Sequence, residues 1–105
     1  MAHDFSGTVS PPSEETLILA IRKKDRNAFS YLYDTYAALL FGAIKKKVVF
    51  QPDAEIVLEK VFEKIWSHSH SYHSNNERIF IWMLRMVNEE TTIYLRGYAD
   101  KNNKN

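Results

Sequence analysis

Pro52 to Trp66, PDAEIVLEKVFEKIW, is the stretch whose reading decides the fold class. Ala54, Val57, Leu58, Val61, Phe62, Ile65 and Trp66 recur at the spacing i, i+3, i+4, i+7, i+8, which lines one stripe of an α-helix. Pro52 suits the first helical position, with Gln51 as a weaker cap than Ser or Asp would be. Asp53 and Glu55 put negative charge in the first turn, where the helix dipole favours it. Val57, Phe62 and Trp66 are expected in the core. The opposite face carries Ile56, Glu59, Lys60 and Glu63, and Ile56 is out of keeping there because that face should meet water.

Upstream, Ser13 is a good N-cap followed by Glu14 and Glu15, and Leu17, Ile18, Ala20 and Ile21 then form a short first helix. It ends in the basic run Arg22, Lys23, Lys24. Asp25 caps a second helix in which Ala28, Phe29, Leu32, Tyr33, Tyr36, Leu40, Ala43 and Ile44 recur at helical spacing. Lys45, Lys46 and Lys47 close it, where cations suit the dipole without any ligand. Downstream, SHSHSYHSNN, Ser67 to Asn76, has no periodicity and many turn residues, so it is expected to be a loop. A last helix is expected from Asn76 or Glu77, with Ile79, Trp82, Met83, Met86 and Val87 inward and a stop at Arg96 and Gly97. Glu90 falls on its apolar stripe. The expected fold is all-α, a compact bundle of three main helices plus a short N-terminal one, over residues 13–97. Met1 to Pro12 is expected to be a flexible tail.

Composition narrows the function classes. The 105 residues suit one domain and include no cysteine, which excludes disulfides and thiolate metal sites. No apolar run reaches the length of a bilayer span, and the N-terminus lacks the regions of a signal peptide, so a cytoplasmic home and no membrane partner are expected. The formal net charge of +1 gives no global basic surplus of the kind dedicated nucleic-acid binders show. His68, His70 and His73 cluster in the loop, but no carboxylate accompanies them there, and solvated histidines are the expectation rather than a metal site. There is no Gly-rich phosphate loop, and the adjacent Glu89 and Glu90 leave a helix in different directions, so no enzyme and no cofactor are expected.

Taken together, KDRNAFSYLYDTYAALLF, DAEIVLEKVFEKIW and a Trp-containing helix ending in YLR resemble region two of bacterial extracytoplasmic-function sigma factors. In that family a Gly-Asp pair precedes Ala-Phe and Leu-Tyr; here Lys24, Asp25, Ala28, Phe29, Leu32 and Tyr33 stand in those places. Asp-Ala-Glu before Val-Phe and Trp is matched by Asp53, Ala54, Glu55, Val61, Phe62 and Trp66. The resemblance covers Thr16 to Arg96. It implies a promoter-binding domain of transcription initiation that docks on the clamp helices of the largest RNA polymerase subunit. The docking residues would be Asp53, Glu55, Ile56, Glu59, Lys60 and Glu63. It also implies capture of non-template single-stranded promoter DNA at the −10 element, through Tyr72, His73, Asn75, Asn76, Arg78 and Arg85. An anti-sigma factor is a further partner known to the family, and residues 98–105 would be a polar tail or the linker to a region-four domain. The chain departs from the family pattern at Ile56 (usually Asp), Glu59 (usually Gln), Glu89 (usually Asn) and Ile93 (frequently Asp). From Glu77 to Arg96 the cations Arg78, Arg85 and Arg96 are balanced by Glu77, Glu89 and Glu90, a poor arrangement for counterion release. A second reading therefore keeps the fold and drops the DNA: a protein-interaction module that binds a regulator or polymerase.

Overall fold

In the computed structural model, which describes residues 12–102, the chain forms α1 (Glu14–Arg22), α2 (Arg26–Lys45), α3 (Gln51–Ser67) and α4 (Ile79–Asn102), with a single 3₁₀ turn at Ser69–Ser71. The fold is all-α. Most of the expected N-terminal tail, residues 1–11, lies outside the described residues, as do 103–105. Helices α2, α3 and α4 pack against one another, and α1 lies on α2 and the 3₁₀ turn. The stripe read from the sequence is the core: Ala54, Val57, Val61, Phe62 and Ile65 of α3 are buried against Leu32, Leu40, Ile44, Ile79, Trp82, Met83 and Val87. Trp66 is only half-buried, because it lies at the open seam between α2 and α3 rather than between three helices.

The caps follow the local chemistry. Ser13 Oγ accepts from the Thr16 amide at 3.1 Å, and Asp25 Oδ1 accepts from the Asn27 and Ala28 amides at 2.9 and 3.3 Å. Helix α3 begins one residue earlier than expected, with Phe50 as a cap that offers no side-chain acceptor and Pro52 in the second helical position. Between α1 and α2 the chain reverses through Lys24, which has φ 65°. The Lys24 amide bonds Ile21 O at 2.9 Å and the Asp25 amide bonds Ala20 O at 3.0 Å, a paired closure of the helix end that needs a left-handed residue. Here a lysine carries the strain and recovers interaction elsewhere: its Nζ donates to Trp66 O at 2.8 Å and lies 4.7 Å from the Trp66 ring centroid.

The end of the domain differs from expectation. Helix α4 starts at Ile79, two or three residues late, and passes through Gly97 to Asn102. The glycine has a negative φ and ordinary helical surroundings, so it costs helix propensity without ending the helix. The helix stop expected at Arg96 and Gly97 is therefore not there, and α4 continues to Asn102.

Two stability outcomes follow from these positions. Lys24→Ala removes the tether but keeps a side chain at positive φ, and should lower unfolding free energy by about 1 kcal/mol. Lys24→Gly relieves the backbone and should recover much of that loss; urea midpoints for the pair check this, and a glycine variant weaker than the alanine one would contradict it. Thr91 is 2 % exposed and its hydroxyl has no hydrogen-bond partner among the described residues. Thr91→Val keeps the shape and should raise stability by about 1 kcal/mol, read as a higher melting temperature.

Candidate docking groove and loop

Because α3 is packed on both sides, its polar residues fall into two flanks rather than one face. Glu55, Glu59 and Glu63, spaced i, i+4, i+8, border the seam with α2. Asp53 and Lys64 turn toward α4 instead. Asp53 accepts a hydrogen bond from the Tyr94 hydroxyl, which pushes the tyrosine up to about 12. Lys64 Nζ donates to Glu89 Oε1 at 2.9 Å and Glu90 Oε2 at 3.1 Å, and these two bonds raise its pKa. The adjacent glutamates leave the helix in different directions, yet the long lysine reaches both. Ile56 and Lys60 are exposed and do not line the groove between α2 and α3. Of the six expected docking residues, the structure gathers three.

Those three form one rim of an open groove of about 1020 Å³. Its floor is aromatic: the Phe29 ring meets Trp66 at 5.0 Å and Phe62 at 5.9 Å, both edge to face, and Tyr33 lies 4.7 Å from Phe62. Leu58, Ala37 and Phe41 extend it. Arg26 stands at the groove too, but none of the ion pairs among the described residues involves it or the three glutamates. A row of like charges at i, i+4 weakens its own helix, so its local contribution is unfavourable. The α2 wall is the part that sequence reading missed. Phe29 and Tyr33 were legible as a helical stripe, but the gap between α2 and α3 is set only by packing.

The loop is more ordered than its composition suggests. Tyr72 is fully buried, against the Trp82 ring at 5.2 Å, and its one hydroxyl proton is shared between Glu77 O at 2.8 Å and Glu14 Oε1 at 3.1 Å. Burial, then Glu14, pushes its hydroxyl up to about 12. Its expected place among the residues that capture promoter DNA is therefore corrected: the one large apolar side chain in a polar stretch goes to the core. Ser69 is buried beside it, and Ser71 Oγ accepts from Trp82 Nε1 at 3.2 Å. His73, Asn75 and Asn76 are exposed at the tip. Arg78 is exposed but pairs with Glu14 at 2.9 Å, and Arg85 is held by both carboxylate oxygens of Glu77. Both cations expected to face phosphate are thus partnered within the domain. His68, His70 and His73 do not gather, and no group of three or more His, Cys, Asp or Glu among the described residues could hold a metal ion.

Glu14 joins these pieces. Its carboxylate also accepts from the Ile79 amide at 2.9 Å, the first amide of α4. Burial raises its pKa, but the hydrogen bonds from Ile79, Arg78 and Tyr72 outweigh that and hold it below the ordinary carboxylate value. Among the described residues no helix is long and apolar enough to cross a membrane. Compared with family models, curated proteins and solved structures, the chain matches none.

A carboxylate with a lowered native pKa contributes stability above its unfolded pKa and loses it as pH falls through the native one. Wild type should therefore melt above Glu14→Gln at pH 7, and the gap should close as the pH falls below about 4. Melting curves across that range check it, and a gap independent of pH would contradict it.

Proposed function

We propose that this domain acts in transcription initiation as a sigma-type module. The groove between α2 and α3 seats the clamp helices of the largest RNA polymerase subunit, and the tip His73–Asn76 contacts an unpaired promoter base of the −10 element. The observation that carries the reading is the row Glu55, Glu59, Glu63, none of them in an ion pair among the described residues, beside an aromatic floor. An amphipathic helix with basic residues on one edge would bury its apolar side on Phe29, Phe62 and Trp66 and meet the glutamates with opposite charge. Charge complementarity of this kind orients a partner and speeds encounter, while the aromatic contacts slow release. The residue pattern that resembles sigma region two supplies the identity of the partner.

The burial of Tyr72 and the internal pairing of Arg78 and Arg85 favour a second reading, in which the domain docks on polymerase or a regulator without reading DNA. With both arginines neutralised internally, little counterion release is left to drive phosphate binding.

Fluorescence anisotropy against core RNA polymerase tests the first reading. Wild type should bind and weaken with salt, and Glu59→Lys with Glu63→Lys should reduce affinity by about tenfold or more without lowering the melting temperature. Binding unchanged by the double reversal would sink the groove as the docking site. Salt-sensitive binding of single-stranded promoter DNA separates the two readings, since the second expects none.

A further inference from the structure

Helix α1 buries Leu17, Ile18 and Ile21 and would be a simple packing element if its polar residues met only water. Two of them do not. Glu14, in the first turn, receives Tyr72 Oη, Arg78 Nε and the Ile79 amide. An acidic residue there would be satisfied by its own helix dipole; instead it reaches across the domain to the first amide of α4, a donor that has no partner within that helix. Arg22, in the last turn, donates from Nε to Ser69 O at 3.1 Å and from Nη2 to Tyr72 O. The loop is thereby gripped at its entrance by Arg22 and at its exit by Glu14. What remains between the two grips is His73, Ser74, Asn75 and Asn76, all exposed.

We propose that Glu14 and Arg22 are positioning residues for a ligand-binding loop, fixing the backbone from Ser69 to Ile79 so that His73, Asn75 and Asn76 are presented by a turn formed before the ligand arrives. The inference rests on the reading of this tip as the contact for an unpaired base. Its physical reason is entropic. A free loop of this composition would have to be ordered on binding, and fixing it during folding removes that cost from the binding step. The grips also suit a polar segment with few bonds of its own: its buried anchors are Ser69 and Tyr72, the Tyr72 carbonyl takes its bond from Arg22, and the Ser69 carbonyl has besides Arg22 only the 3.3 Å bond from the Tyr72 amide.

Amide hydrogen exchange on the full chain is the test, comparing wild type, Glu14→Ala, the milder Glu14→Gln, Arg22→Met and the exposed control Glu15→Gln. In Glu14→Ala and Arg22→Met the amides of residues 72–79 should exchange roughly tenfold faster or more, with those of Val57, Val61 and Met83 unchanged. Glu14→Gln should fall between, and the control should match wild type. Core and loop amides accelerating together would show a merely structural part, and an unaltered loop would show that it holds itself; either result overturns the proposal. A labelled single-stranded deoxyoligonucleotide, titrated into the same variants, supplies the functional readout. Wild-type binding that weakens in the loosened variants supports positioning, and binding they retain in full overturns it. Absence of wild-type binding would remove the base-reading function only, and the exchange result would then decide whether α1 shapes the loop.

Discussion

The enclosure of α3 between α2 and α4 governs the rest of the structure. A helix buried on two sides has no single polar face left. Its charged residues divide according to which neighbour they border: Glu55, Glu59 and Glu63 at the α2 seam, Asp53 and Lys64 toward α4. The α4 flank is closed by a tyrosine–carboxylate bond and a lysine shared between Glu89 and Glu90. The α2 flank is open, and its glutamates have no cation paired with them among the described residues. The same packing thus makes one side of the helix structural and leaves the other available.

Partner choice by the remaining charges reinforces that division. Each arginine near the loop is engaged within the domain: Arg22 on two carbonyls, Arg78 on Glu14, Arg85 on Glu77. Surface pairs such as Arg78–Glu14 and Arg85–Glu77 contribute little stability individually. Their effect is on what the surface offers a ligand, since a guanidinium already held by carboxylate attracts phosphate weakly. The near-neutral composition is therefore also neutral locally around the loop, while the groove rim stays acidic.

Lys24 shows how a local conflict is absorbed. A lysine at positive φ opposes the backbone preference of its residue type, and the turn nevertheless forms because Asp25 caps α2 immediately after it and Trp66 receives the lysine side chain. The turn, the groove wall and the grip of Arg22 on the loop all lie within a few residues of the end of α1. Short as it is, α1 holds the loop through Glu14 and Arg22, and Lys24 just beyond its end holds Trp66 at the groove.

The apolar period of 52–66 and of 26–45 was enough, by itself, to place the helices, the caps at Ser13 and Asp25 and most of the core, because burial acts on a stripe that the spacing already defines. The exposure of Ile56 and the acidic character of α3's outer residues were equally legible. Tertiary structure alone decided that Tyr72 is core rather than contact surface, that Gly97 lies inside a helix, and that the six expected docking residues do not share one face: three border the α2 seam, Asp53 meets α4, and Ile56 and Lys60 are exposed on neither flank. Each of these depends on what stands opposite: Trp82 and Glu14 for the tyrosine, the continuing backbone ladder for the glycine, the positions of α2 and α4 for α3. Sequence spacing records which residues share a face of one helix. It does not record which neighbour that face will meet, and the groove exists only in that meeting.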